Sequence, residues 1–95
     1  MHTSRIGDIS EMRACAWLME QGYEVFRNVS CIGPMDIIAI ELATNELLKI
    51  DVKTVRVKVL ADGTKKYVSP NASSFIDGVN YLGYVAEEDN FIWLS

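Results

Sequence analysis

The chain has 95 residues and a formal net charge of −4, with 49% hydrophobic and 23% charged residues. This composition is typical of one compact globular domain, and we assign residues 1–95 to it. The acidic balance disfavours a basic nucleic-acid coat protein, and no apolar run approaches the ~20 residues of a membrane span. Because the first residues lack the apolar region of a signal peptide, we expect a cytoplasmic protein, in a cell or a phage-infected cell, with no membrane partner.

The two cysteines, Cys15 and Cys31, form no C-x-x-C pair, and the single histidine is His2. A zinc site built from thiolates or imidazoles is therefore not expected. Both cysteines are interpreted as free thiols in a reducing compartment.

The first predicted element is an amphipathic helix over residues 4–21, which Gly22 ends. Its predicted buried arc consists of Ile9, Met12, Cys15, Ala16 and Met19, with Leu18 at the margin. Glu11 lies on this apolar side. If Thr3 or Ser4 caps the helix, Glu11 is a mid-helix acid whose position favours a function. If the helix begins at Asp8, Glu11 is a first-turn acid that the helix dipole stabilises.

Three strands are predicted next, over residues 23–26, 36–40 and 47–54. The second is apolar and β-branched, like a buried central strand. In the third strand the apolar positions are even-numbered before Thr54 and odd-numbered after it. Since a flat strand does not change phase, a bulge or bend is expected near Thr54.

The dipeptide Asp62-Gly63 predicts a hairpin with a two-residue turn after this strand. Pairing outward from that turn places four side chains on one face of the hairpin, namely Arg56, Lys58, Lys65 and Tyr67. A short second helix is predicted from Ser69-Pro70 to residue 77, and a terminal hairpin over residues 81–86 and 91–94.

Asp51 and Lys53 are two residues apart in a strand, so their side chains point to the same face. Taken alone, this D-x-K pair also fits an exposed strand face that carries a ladder of charges with Lys49. Asp36 opens the preceding strand, and neighbouring strands lie about 5 Å apart, so Asp36 and Asp51 are close enough to share one cation. An ordinary turn aspartate at position 36 is the alternative.

The order of these residues resembles the PD-(D/E)xK phosphodiesterase superfamily, and within it the archaeal Holliday junction resolvases and related small nucleases. The resemblance depends on Glu11, on Gly33-Pro34-Met35-Asp36 and on Ile50-Asp51-Val52-Lys53, and covers about the first two-thirds of the chain. Pro34 stands one residue further from Asp36 than in the family pattern, and Asp51 stands where glutamate is commoner. The implied fold is α/β, with a restriction-endonuclease-like core (α-β-β-β-α-β) whose mixed central sheet is flanked by helices.

The resemblance implies a metal-dependent DNA endonuclease that hydrolyses phosphodiester bonds and leaves a 5′-phosphate. Asp36, Asp51 and the Val52 carbonyl would bind Mg²⁺ or Mn²⁺. Lys53 would orient or deprotonate the attacking water and stabilise the transition state. Glu11 would hold a second metal or a metal-bound water.

The predicted basic hairpin face would bind the backbone of duplex or branched DNA, and a solvated hairpin that protects a sheet edge is an equal alternative. Since one site cuts one strand, cleavage of both strands predicts a homodimer. Tyr84, Phe91 and Trp93 of the last strands are candidates for that interface or for the core. The rival function is a non-catalytic nucleic-acid-binding or assembly module on the same fold. The third possibility is a small α/β domain in which the D-x-K spacing arises by chance.

Overall fold

The computed structural model describes residues 3–29, 35–68 and 75–95. The helix and strands in these ranges are α1 (Thr3–Glu20), β1 (Tyr23–Arg27), β2 (Ile37–Glu41), β3 (Leu47–Val59), β4 (Lys65–Val68), β5 (Asn80–Val85) and β6 (Asn90–Trp93). A 3-10 turn, Ala86–Glu88, joins β5 to β6, and these two strands pair antiparallel as the predicted terminal hairpin. The second predicted helix falls largely on residues 69–74, which lie outside the described residues. Within the described part of the chain, no helix combines the length and apolar character that a membrane span needs.

Strand β3 organises the sheet because it pairs with three other strands. Residues 47–50 pair antiparallel with β2, residues 50–55 pair parallel with β5, and residues 56–59 pair antiparallel with β4. The strand order is β1-β2-β3-β5-β6, and β4 is attached to β3. A parallel β3–β5 pair among antiparallel neighbours makes the sheet mixed, which confirms the predicted α/β class.

Helix α1 covers one face of this sheet. Ala14 and Leu18, one helical turn apart, pack in a single cluster with four residues of the sheet: Ile37, Ala39, Ile50 and Leu82. The predicted buried arc was wrong at Met12, Ala16 and Met19, which are exposed, Met12 by 60% and Met19 by 59%. Because apolar side chains occur around most of this helix, contact with the sheet decides which arc is buried.

Strand β3 runs unbroken through Thr54 to Val59, and its register with β5 continues without a break to Val55, so the predicted bulge at Thr54 is wrong and a bend there stays a prediction. The burial of β3 explains the phase change. Ile50 is buried toward α1, whereas Val55 is buried on the opposite face, where it pairs with Val85. Gly83 lies on that second face, and a Cβ atom there would be 2.6 Å from Val55 Cγ2. The apolar pattern therefore switches because the buried side of β3 changes along its length.

The turn of the β3–β4 hairpin contains three residues, 61–63, and not the predicted two. Leu60 N–H donates to Thr64 O at 2.8 Å, and Gly63 adopts a left-handed conformation with φ of +87°. A glycine in this conformation closes three-residue turns at little steric cost. The additional turn residue shifts the pairing by one position, so that Lys65 is opposite Val59.

This shift divides the predicted basic face between the two sides of the hairpin. Lys58 is opposite Lys66, and Arg56 lies on the same side because it is two residues from Lys58. Lys65 and Tyr67 lie on the other side. The grouping of Arg56, Lys58, Lys65 and Tyr67 on one face was therefore wrong, since a slip of one residue exchanges the faces of a strand.

Candidate active site at the start of strand β2

Two aspartates meet where β2 begins, beside β3. The ladder between these strands ends at Ile37 opposite Ile50, so Asp36 and Asp51 are the next residues on the two strands. Asp36 N–H donates to Ile50 O at 2.9 Å, and Asp36 Oδ2 accepts from Val52 N–H at 2.8 Å. The Asp36 side chain therefore satisfies a β3 amide beyond the end of the ladder, which holds its carboxylate against the strand. Metal binding by the Val52 carbonyl stays a prediction.

Asp51 and Lys53 share one face of β3, as alternation predicts. Lys53 Nζ lies 3.3 Å from Asp51 Oδ2, and the two side chains are 31% and 14% exposed. In the parallel register Asp51 is opposite Tyr81, and Lys53 Nζ lies 5.9 Å from the centroid of the Tyr81 ring. This distance is within the range of a cation–π attraction. The pair is therefore reachable from solvent and bordered on one side by an aromatic ring.

The surroundings of Asp51 disfavour its charged form. Burial, together with the hydrogen bond and the charge of the Asp36 carboxyl, raises the pKa of the Asp51 carboxyl to about 6. The Lys53 ammonium lowers this pKa without cancelling the rise. Two carboxyl groups in contact are relieved by a shared proton or by a cation. Their oxygen donors fit a hard divalent ion such as Mg²⁺, which needs few protein ligands.

Glu11 lies apart from this aspartate pair. Its Oε1 atom accepts hydrogen bonds from Nη2 and Nε of Arg27 at 3.1 and 3.3 Å. Arg27 pairs with Ile37, and Ile37 packs against α1, so Arg27 lies on the helix-covered face of the sheet. Ile50 also packs against α1, and alternation turns its neighbour Asp51 to the other face. Among the residues that the structure describes, no three Asp, Glu, His or Cys side chains form a group that could hold a metal ion. The structure therefore does not bring Glu11 into the predicted ligand set.

The two sides of the β3–β4 hairpin differ in their contacts. Lys65 Nζ lies 3.2 Å from Glu88 Oε2, and Tyr67 O–H donates to Glu88 Oε1 at 2.9 Å. The Tyr67 hydrogen bond, together with Lys65, lowers the pKa of the Glu88 carboxyl. On the other side, Arg56 and Lys58 make no ion pair within the described ranges. Of the four predicted DNA contacts, Lys65 and Tyr67 are therefore bonded within the molecule, whereas Arg56 and Lys58 are unpaired cations.

Tyr81 is a neighbour of the site that the sequence did not reveal. Its ring stacks on Phe75, with 3.8 Å between centroids and 6° between planes, and its hydroxyl accepts from Ile76 N–H at 2.8 Å. The parallel β3–β5 register places Tyr81 beside Asp51. No local pattern in the sequence signals that register, because it pairs two segments that are distant along the chain.

The aromatic residues predicted as interface or core are mostly packed inside the molecule. Trp17 of α1 stacks on Phe91 at 5.3 Å and lies edge-on to Trp93 at 6.1 Å. Tyr84 is buried, and its hydroxyl donates to Asp89 Oδ1 at 2.8 Å. Trp93 is 42% exposed. Of the three candidates, Trp93 therefore offers the largest free surface to a second subunit.

Comparison with known proteins supports the fold. No protein-family model matches the chain, and no curated protein matches it in sequence. Among solved structures, the chain is similar to the bacterial homing endonuclease I-Ssp6803I, with a TM-score of 0.71 and 23% sequence identity. The match covers 98% of this chain and 64% of that chain, so this chain spans less than two-thirds of its neighbour's length. At this identity the likeness shows that the two chains share a mixed α/β fold.

Proposed function

We propose that the chain is a metal-dependent DNA endonuclease that hydrolyses phosphodiester bonds. The observation that carries the proposal is the placement of Asp36 and Asp51 side by side at the end of the β2–β3 ladder, with Lys53 beside Asp51 on a face that solvent reaches. The fold shared with a homing endonuclease supports the same class of activity. The order Asp36, Asp51, Lys53 further supports a PD-(D/E)xK enzyme, resolvase-like or otherwise specific for a DNA structure or site.

In this proposal Asp36 and Asp51, with the Val52 carbonyl, would hold one Mg²⁺ or Mn²⁺ ion. The bound ion would neutralise negative charge on the phosphodiester. Lys53 orients the attacking water and stabilises the negative charge that develops on the phosphate, since its ammonium is held beside Asp51. Tyr81 limits the freedom of the Lys53 side chain by bordering it with its ring.

The test is cleavage of a four-way junction and of a linear duplex of identical sequence, each with Mg²⁺, Mn²⁺ or EDTA. We expect cleavage with either metal and none in EDTA. Lys53→Ala should reduce the rate at least 10²-fold while DNA binding persists. Lys49→Ala is the matched control, because Lys49 is an exposed lysine on the same face of the same strand. Equal rates for wild type and Lys53→Ala would refute the mechanism.

We further propose that the enzyme acts as a homodimer on double-stranded or branched DNA, since one site cuts one strand. Light scattering of the protein with and without DNA tests the assembly. Trp93→Ser should weaken the dimer, because Trp93 is the most exposed of the predicted interface aromatics. An unchanged mass for wild type and variant at all concentrations would contradict this interface.

A non-catalytic nucleic-acid-binding module is the second candidate. The observation that favours it is the lack, among the described residues, of a third carboxylate, histidine or cysteine grouped with the aspartate pair. This candidate predicts DNA binding without cleavage under any metal. Calorimetric titration with Mg²⁺ separates the two functions, because the module has no need of metal binding at Asp36 and Asp51.

A further inference from the structure

The basic residues of this chain are unevenly neutralised. Of the nine lysines and arginines, the side chain of Arg5 lies outside the described part, and four of the other eight pair with carboxylates. The unpaired four are Lys49, Arg56, Lys58 and Lys66. Three of them, Arg56, Lys58 and Lys66, lie on one side of the β3–β4 hairpin, and we call this side the free basic face.

The free basic face is exposed and directed away from the contacts that hold the hairpin. All three of its cations are exposed. Lys65 and Tyr67, on the opposite side, are bonded to Glu88. Residues outside the described ranges carry no carboxyl side chain, so they provide no acid that could neutralise this face. A chain with a net charge of −4 therefore keeps three adjacent cations available to an anionic partner.

We propose that the free basic face binds the sugar-phosphate backbone of DNA, away from the phosphate that is cut. The inference rests on the proposed endonuclease function, which supplies DNA as the polyanion in contact with the same strand. Arg56 lies roughly 10 Å along β3 from Lys53, and alternation turns it to the opposite face. A two-stranded ribbon fits the major groove of B-DNA, which is about 12 Å wide, so one duplex can contact both faces of β3.

This placement gives the free basic face a role in affinity and not in bond cleavage. Each phosphate that a cation neutralises steepens the dependence of binding on salt, by about 0.9 in the slope of log K against log [salt]. Three such contacts strengthen binding on the order of 10²- to 10³-fold at 0.1 M salt relative to 1 M. Because these cations lie on the opposite face from Lys53, the cleavage rate of bound DNA should not depend on them.

The experiment measures binding of a fluorescent linear duplex in EDTA, where no cleavage occurs, from 0.05 to 0.3 M salt. We expect Lys58→Gln to lower the salt slope by about 1, and the triple variant Arg56→Gln/Lys58→Gln/Lys66→Gln to lower it by about 3. Lys49→Gln is the matched control, since it is an exposed unpaired lysine on the same strand. Its slope should equal that of the wild type.

The outcomes separate this inference from the proposed function. Cleavage by excess enzyme, with all DNA bound, should proceed at the wild-type rate in the triple variant. A wild-type salt slope in the triple variant, or an equal loss in Lys49→Gln, would overturn the inference while leaving the endonuclease intact. Equal affinity of the wild type for polyglutamate would also overturn it, since the face would then bind acidic polypeptides as well as DNA. Absence of DNA binding by the wild type would overturn both proposals.

Discussion

Replacing Asp51 with Asn should stabilise the metal-free protein and abolish its metal binding. A carboxyl whose pKa rises from 3.8 to about 6 on folding disfavours the folded state by about 3 kcal/mol when it is ionised. The asparagine amide has no charge for burial or for Asp36 to disfavour, and the pKa of about 6 already includes the opposing attraction of Lys53. We therefore expect the free energy of unfolding at pH 7 to rise by about 1–3 kcal/mol.

The pH dependence tests the cause of this gain. Between about pH 4 and pH 6 the folded carboxyl keeps a proton that the unfolded chain has lost, so wild-type stability falls as pH rises through this window. The advantage of Asp51→Asn should therefore be small near pH 4, grow to about pH 6 and then stay constant. Urea unfolding in EDTA at intervals from pH 4 to pH 8 measures the difference.

Glu24→Gln is the control for loss of one negative charge, because Glu24 is exposed on the edge strand β1. It should change stability by less than about 0.5 kcal/mol at every pH. Mg²⁺ should raise the urea midpoint of the wild type and leave that of Asp51→Asn unchanged. A destabilised Asp51→Asn, or a gain that is the same at pH 4 and pH 8, would refute the reasoning.

Three further predictions concern the site and its support. Asp36→Ala should cost about 1–2 kcal/mol in urea unfolding because Val52 N–H loses its acceptor, whereas Asp36→Asn should keep stability and still lose plasmid cleavage. Glu11→Gln should retain cleavage within about threefold, because Glu11 is bonded to Arg27; a loss of 10²-fold would restore it to the metal site. Gly83→Ala should lower the free energy of unfolding by about 1–3 kcal/mol, since an added Cβ would lie 2.6 Å from Val55 Cγ2. An unchanged urea midpoint would contradict this, because it would mean that the side chains around Gly83 rearrange at no cost.

The sequence predicted the local features of the site because they depend on the two-residue period of a strand. Asp51 and Lys53 share a face whatever the neighbouring strands do. Asp36 comes close to Asp51 because it precedes a strand that pairs with β3. The helix, the first three strands and the terminal hairpin were predicted for the same reason, since their apolar patterns and turn residues are local signals.

The registers between strands did not follow from the local signals. A turn of three residues in place of two moved Lys65 and Tyr67 to the side of the hairpin opposite Lys58. The parallel pairing of β3 with β5 brought Tyr81 to the aspartate pair. Glu11 lies on the inner side of its helix, where it is hydrogen-bonded to Arg27 and apart from the aspartate pair.

The sequence by itself therefore determined which side chains share a strand face, and it supplied the order of Asp36, Asp51 and Lys53. The tertiary structure decided which of the other candidates belong with them. The physical reason is that alternation is set within each strand by backbone geometry, whereas the pairing of strands depends on turn length and on contacts across the sheet. A shift of one residue in the pairing of β3 with β4 placed the unpaired Arg56 and Lys58 on one side of the hairpin and Lys65, which is bonded to Glu88, on the other.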